Sequence, residues 1–184
     1  EGRVQGLKIA LFDVSDVSNP IEKAKYEVKQ QWSDSNALYD HKAFLFDKER
    51  ELLVLPVSHS KQTGFSSDQW RYPIYEYWQG AFVFKLNENE ISLRGKIDHV
   101  ENASEQNPYY YNSAVYRSLF MDDVLYTISR VMVKANDLTD LSYIESVKLP
   151  YEEIYYFYEG GVGVVTSGGV AVAEETDVAS PIPA

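Results

Sequence analysis

The sequence contains no cysteine, and this absence excludes disulfide bonds, thiolate metal ligands and cysteine nucleophiles. It also lacks an apolar run of the ~18 residues that a membrane-spanning helix needs. Basic residues are scarce, because 17 lysines and arginines stand against 28 acidic residues and give a net charge of −11. Such a chain is repelled by phosphate groups, so we expect no nucleic acid or anionic membrane surface among its partners.

What the sequence does contain is the composition of a folded globular protein. Of its 184 residues, 45% are hydrophobic and 24% are charged, which is close to the average of globular domains. The length suffices for one sizeable hydrophobic core. The sequence begins with Glu1 and has no signal-peptide core, so we expect it to be a mature or truncated part of a longer protein.

Short runs rich in β-branched and aromatic residues fill most of the chain and predict strands. Residues 20–31 fit a helix or a strand, and their alternating apolar positions favour the strand. The turns at residues 47–50 and 121–123 have the length of hairpin loops, so the sequence predicts an antiparallel all-β fold. The other strand-like runs cover residues 6–14, 43–47, 51–57, 80–86, 91–100, 113–120, 124–129, 131–135 and 142–149.

Three segments repeat one plan, in which an apolar strand ends in an Asp- or Asn-rich turn and a second strand follows. The turns cover residues 13–19, 87–90 and 136–140, and a further hairpin precedes the second and third copies. Each full unit therefore has four strands, and the interval between the last two turns is close to the ~40 to 50 residues of a propeller blade. The pattern predicts about two and a half blades of a β-propeller-like stack, with residues 59–76 inserted in the second.

The inserted residues 59–76 are the expected binding surface, since long connections in compact domains commonly serve a function. Exposed tyrosine and tryptophan side chains suit the binding of proteins or glycans. Aromatic packing between blades is the alternative interpretation. The candidate ligand-binding residues are Trp70, Arg71, Tyr72, Tyr75 and Trp78.

Four strings of the sequence carry a resemblance to a known family: GLKIALFDVSDVSNP, ALYDHKAFLFDKERELLVLPVS, WQGAFVFKL and LRGKIDHVE. Together they resemble the secreted β-propeller-domain family of archaea and bacteria, which is distantly related to tryptophan-aspartate repeats. The resemblance covers about residues 6–150 and implies an extracellular or cell-surface location and no established reaction. Family members carry more blades upstream. Missing N-terminal blades or a homo-oligomer would therefore complete the ring.

We accordingly divide the chain into a partial, C-terminal propeller (residues 1–150) and an extension (residues 151–184). In the extension, residues 160–173 could add a closing strand, and residues 174–184 have the composition of a loose acidic tail. Asn102 begins an Asn-Ala-Ser acceptor for N-glycosylation, in a loop between blades.

Catalytic and metal-binding groups are weakly indicated. His41 follows Asp40 and His99 follows Asp98, so each histidine is either a base oriented by a carboxylate or, as we favour, a structural hydrogen-bonding group. His59, at the start of the insertion, is expected to be the exposed histidine. The oxygen-rich turn at residues 13–19 suits calcium but lacks the glycine and the distal glutamate of a calcium loop, so we favour a structural turn.

The sequence therefore predicts a non-catalytic, secreted or cell-surface propeller module that binds a protein or glycan, without metal or cofactor. Two alternatives remain open. The first is a carbohydrate- or peptide-acting enzyme that uses the propeller channel, with His41 and Asp40 as candidates. The second is a calcium-dependent adhesion module.

Overall fold

A computed structural model of the chain describes residues 6–30, 32–67, 69–100 and 112–150. The first compact unit of the chain ends at Leu149, and the second begins at Pro150. The predicted closing strand, the acidic tail and Asn102 lie outside the described residues. Within the described ranges, no helix is long and apolar enough to span a membrane.

The described residues form eleven strands and two short 3-10 turns, Asn36–Leu38 and His41–Ala43. Residues 20–31 contain a strand, as their alternation predicts. The strands are β1 (Lys8–Asp13), β2 (Ile21–Glu27), β3 (Trp32–Asp34), β4 (Leu45–Asp47), β5 (Leu52–Phe65), β6 (Pro73–Asn87), β7 (Glu90–Ile97), β8 (Arg117–Met121), β9 (Val124–Ile128), β10 (Met132–Asp137) and β11 (Tyr143–Lys148).

Three antiparallel sheets follow one another along the chain. Strands β1 and β2 form the first sheet, and the second has the order β3-β5-β6-β7 with β4 also paired to β5. The third sheet has the order β11-β10-β9-β8. This architecture confirms the predicted all-β class and its antiparallel sheets. The first sheet has two strands, which is half of one four-stranded unit.

Asp and Asn side chains close the hairpin turn in each of the three repeats. Asp13 Oδ1 accepts a hydrogen bond of 2.9 Å from the Ser15 amide, and Asn87 Oδ1 accepts one of 3.1 Å from the Asn89 amide. In the third repeat, Asp137 Oδ1 accepts a hydrogen bond of 2.6 Å from the amide two residues later. These Asx turns confirm that the repeated motif is structural.

The core lies on both faces of the second sheet, because side chains alternate along a strand. Leu53, Leu55 and Phe82 belong to a cluster on the face toward the first sheet, where Leu7 and Val28 join them. The alternate side chains Leu52, Val54, Ala81 and Val83 point to the opposite face, toward the third sheet. There they cluster with Ile97, Val115, Leu125 and Leu138. Since both faces are covered, every residue from 52 to 57 is buried.

The insertion at residues 59–76 is not a long loop, because strands β5 and β6 continue into it. They have 14 and 15 residues and pair from Leu52↔Lys85 to Phe65↔Pro73. Only residues 66–72 form the connection. We call residues 58–79 the hairpin arm.

Candidate binding site

One face of the hairpin arm carries a row of exposed aromatic side chains. Ser60 of β5 lies opposite Tyr77 of β6 and also opposite Trp32 of β3, so all three side chains point to the same face. Tyr75 lies two residues from Tyr77 and therefore shares this face. Trp32, Tyr75 and Tyr77 are 67%, 49% and 39% exposed. We call these three side chains the aromatic face.

Residues 66–72 form the tip of the arm and present three of the predicted binding residues. The Ser66 amide donates to the Tyr72 carbonyl at 2.7 Å, and the Tyr72 amide donates to Ser66 Oγ at 2.9 Å, which closes the tip. Arg71 lies there with a φ of 46°, and its guanidinium carbon is 5.4 Å from the centre of the Phe65 ring. The side chains of Trp70 and Tyr72 are exposed.

Trp78 lies apart from the other predicted binding residues, because it points to the opposite face of the arm. Its ring is 5.2 Å from the ring of Phe82 in the core, and its Nε1 donates to Asp98 Oδ2 at 3.3 Å. The Lys96 ammonium is 5.1 Å from the ring centre. Trp78 thus anchors the base of the arm to the core, whereas Trp70, Arg71, Tyr72 and Tyr75 lie on its exposed part.

His59 stacks on Trp78 and is half-buried, so the expectation that it is the exposed histidine is wrong. The two rings are 5.3 Å apart with an interplanar angle of 19°. Neither ring nitrogen has a hydrogen-bond partner among the described residues. Burial lowers the pKa of His59, and the positive charge of Lys96 lowers it further. The exposed histidine is His41.

His99 is buried and joins the second sheet to the third, which confirms its structural interpretation. Its Nδ1 lies 2.9 Å from Ser129 Oγ, and its Nε2 lies 2.9 Å from Thr127 Oγ1. Burial lowers the pKa of His99 to about 4, with a smaller effect from Lys134. The ring is therefore neutral at physiological pH.

Asp40 does not orient His41. Asp40 Oδ1 accepts a hydrogen bond of 2.9 Å from the Lys42 amide and so caps a 3-10 turn. Its Oδ2 accepts one of 3.1 Å from Arg117 Nη2 on β8. Among the described residues, no hydrogen bond joins Asp40 to His41. The pair therefore lacks the geometry of a base and its orienting carboxylate.

Acidic and histidine side chains do not converge on a metal site in the described part of the chain, where no group of three or more could hold an ion. Asp13 is occupied by the Ser15 amide, which lowers the pKa of its carboxyl group, and its Oδ2 lies 3.8 Å from Lys23 Nζ. The turn at residues 13–19 thus uses its oxygens for backbone amides and an ion pair.

A polar groove at the base of the arm was not predicted. It has a volume of about 800 Å³ and lies between the second and third sheets. Asp40, Tyr77, Tyr116 and Arg130 are among its lining residues. These side chains come from distant parts of the chain, so sequence spacing could not bring them together. Trp32 was also missed, although an isolated tryptophan in a polar stretch is a signal for an exposed aromatic contact.

Comparisons with known proteins match most of the chain. A family model described as a beta propeller domain matches residues 1–141. An uncharacterized protein of Methanocaldococcus jannaschii is 28% identical over 149 residues, and the match covers 79% of this chain and 18% of that protein. An uncharacterized protein of Archaeoglobus fulgidus is also 28% identical over 149 residues, with 80% and 18% covered. The chain thus spans about a fifth of the length of these relatives, and no solved structure matches it.

Proposed function

The chain belongs to the β-propeller domain family, and from this premise we propose that it is a non-catalytic interaction module that binds a protein or glycan partner with its hairpin arm. The propeller-type sheets supply a rigid base, and the arm extends from it as two paired strands. Interaction is the function that this arrangement supports best, because binding residues work well when a rigid scaffold positions them.

The exposure of aromatic side chains on the arm carries this proposal. Tryptophan and tyrosine combine a large apolar area with a polar group and lose little conformational entropy on binding, so they dominate many binding surfaces. Trp70 and Tyr72 at the tip are 69% and 61% exposed. Burial of this apolar surface against a partner would be favourable in free energy. The exposed side chains of the aromatic face lie on the same arm, and exposed apolar surface of this kind marks interaction sites.

We further propose that the module acts outside the cell or at its surface. The acidity of the chain and the absence of cysteine are compatible with this location, and the resemblance to a secreted family favours it. Detection of the protein in culture medium or on intact cells with an antibody would support the proposal. Recovery in the cytosolic fraction alone would contradict it.

Substitution at the tip of the arm tests the binding role. Purified chain would be applied to a glycan array and to an array of surface proteins from the producing organism. We expect the double variant Trp70→Ala, Tyr72→Ala to lose binding about tenfold or more, as for residues that dominate an interface. Tyr143→Ala controls for the loss of an exposed aromatic side chain, because Tyr143 is 59% exposed but lies on β11. Equal binding by the double variant and the control would contradict the proposed surface.

A further inference from the structure

The groove at the base of the hairpin arm has walls that are fixed to each other. Gln79 of β6 bridges them, since its Nε2 donates to the Val115 carbonyl at 2.6 Å and its Oε1 accepts from the Val115 amide at 2.7 Å. The volume of about 800 Å³ falls within the ~300 to 1,000 Å³ of ligand pockets. The groove is thus already formed and large enough for an oligosaccharide or a short peptide.

Arg130 gives the groove a positive charge. Asp40, the acidic residue among its described lining, is neutralised by Arg117 at 3.1 Å. Arg130 makes no ion pair with any described residue. Among the described charged side chains at the groove, Arg117 and Arg130 thus outnumber Asp40 in a chain whose net charge is −11, and an anionic group is the complementary ligand.

The backbone of Arg130 is held in place before any ligand binds. Arg130 follows Ser129 in the tight turn between β9 and β10, and its amide donates to the Asn112 carbonyl at 3.1 Å. Ser129 Oγ accepts a hydrogen bond of 3.1 Å from the Met132 amide and contacts His99. This preorganisation lowers the entropy that binding must overcome.

The remaining lining suits a sugar better than a peptide. Tyr77 and Tyr116 supply aromatic rings, and the hydroxyl group of Tyr116 can donate and accept hydrogen bonds. The amide of Asn36 and the hydroxyl of Ser58 make no hydrogen bond within the described residues, so both can bind the hydroxyl groups of a sugar. Pro56 and Ala114 are the aliphatic residues of the described lining, so polar side chains outnumber aliphatic ones there.

We propose that this groove binds an oligosaccharide that carries carboxylate groups, such as a chain of uronic acids. Arg130 pairs with one carboxylate, an interaction that its two parallel N–H groups favour. Tyr77 and Tyr116 contact the sugar rings, while Asn36 and Ser58 bind hydroxyl groups. This site lies apart from the tip of the arm, although it shares Tyr77 with the aromatic face, and it goes beyond the interaction proposed above.

Calorimetry with defined oligosaccharides tests the proposal. The full chain would be titrated with oligogalacturonate and oligomannuronate, with a neutral galactose oligomer of equal length and with an acidic peptide, tetraglutamate. We expect at least one uronate to bind, and the neutral oligomer and the peptide to bind about tenfold more weakly or not at all. Failure of both uronates to bind, or equal binding of the peptide, would overturn the proposal.

Three variants locate the ligand. Arg130→Gln is expected to weaken uronate binding about tenfold, the effect of losing one charge-assisted pair. Arg50→Gln removes the same charge in the turn between β4 and β5, at a residue that does not line the groove, and should bind as the unmodified chain does. The tip variant Trp70→Ala, Tyr72→Ala should also retain uronate binding, even if it loses the partner of the arm. If the tip variant lost uronate binding, or if Arg130→Gln bound uronate as tightly as the unmodified chain, the ligand would lie elsewhere. Either result would refute the groove as the uronate site.

Discussion

His99 shows how a single buried polar residue can hold two sheets together. Only 2% of the residue is exposed, and its ring nitrogens lie within hydrogen-bond distance of hydroxyl groups on β9 and in the turn that follows β9. A charged imidazolium at this position would be desolvated next to Lys134, which is why burial lowers the pKa of His99 to about 4. The unfolded chain restores the ordinary pKa of about 6.5.

His99 should make stability depend on pH. Between about pH 6.5 and pH 4 the unfolded chain binds a proton at His99 and the folded chain does not, so the free energy of unfolding falls as the pH falls. Below pH 4, this effect of His99 lowers the free energy of unfolding by about 3 kcal/mol in total. Urea unfolding at several pH values would measure it, with His99→Gln expected to flatten the slope relative to the unmodified chain. His41→Gln is the control, because His41 is exposed; an identical slope in all three proteins would contradict the prediction.

Gly80 is required by a close approach of the backbone of β6 to its surroundings. A Cβ atom at this position would lie 2.8 Å from the Trp78 ring and would clash with the Ile97 carbonyl. We expect Gly80→Ala to lower the free energy of unfolding by about 1 to 3 kcal/mol through overpacking. At Gly64, a Cβ atom would meet nothing within 4 Å. Gly64→Ala should therefore change the free energy of unfolding by less than about 1 kcal/mol. Equal unfolding midpoints for the two variants in urea would refute this.

At the scale of elements, the sequence predicts the strands and repeated turns well and the hairpin arm poorly. The sequence predicts a long connection in place of the arm, because the strands of the arm are polar and contain Gly64 and Pro73. Pro73 is tolerated because it is the first residue of β6. Once the strand is recognised, its period of two explains why Tyr77 and Trp78 face opposite ways. The groove could not be predicted, since Asp40 and Arg130 are brought together only by the packing of two sheets.

The Asx turns predict that metal ions leave stability unchanged. Asp13 and Asp16 accept hydrogen bonds from the amides of Ser15 and Ser18, so their side chains already have partners. We expect calcium or an excess of EDTA to leave the melting temperature unchanged in differential scanning calorimetry. Asp13→Ala should lower the melting temperature. Asp13→Asn should leave the melting temperature unchanged, because an amide oxygen also accepts the hydrogen bond from the Ser15 amide. A rise in melting temperature with calcium would restore the adhesion hypothesis.

At the scale of the whole molecule, the third sheet packs one face on the second sheet, and its other face, which we call the open face, is covered by no strand in the described part of the chain. Leu125 and Thr127 point toward the second sheet and are buried. The opposite face carries apolar side chains that no described strand covers, and Leu119, Met121 and Val147 are 40%, 57% and 61% exposed on it. An apolar sheet face of this kind is stabilised by packing against another sheet.

The open face predicts that the chain associates in solution. Stacking of two third sheets would bury the apolar side chains, so light scattering after size exclusion should give a mass above 21.1 kDa. Met121→Lys together with Val147→Lys places charges on this face and should reduce the mass to that of one chain. Val17→Lys makes a matched change in the exposed turn between β1 and β2 and should leave the association unchanged.

A mass of 21.1 kDa for the unmodified chain would contradict the prediction and mean that this face does not drive association. Association that survives both lysines would place the contact on another surface, and the hairpin arm, with its exposed aromatic side chains, would be the next to test.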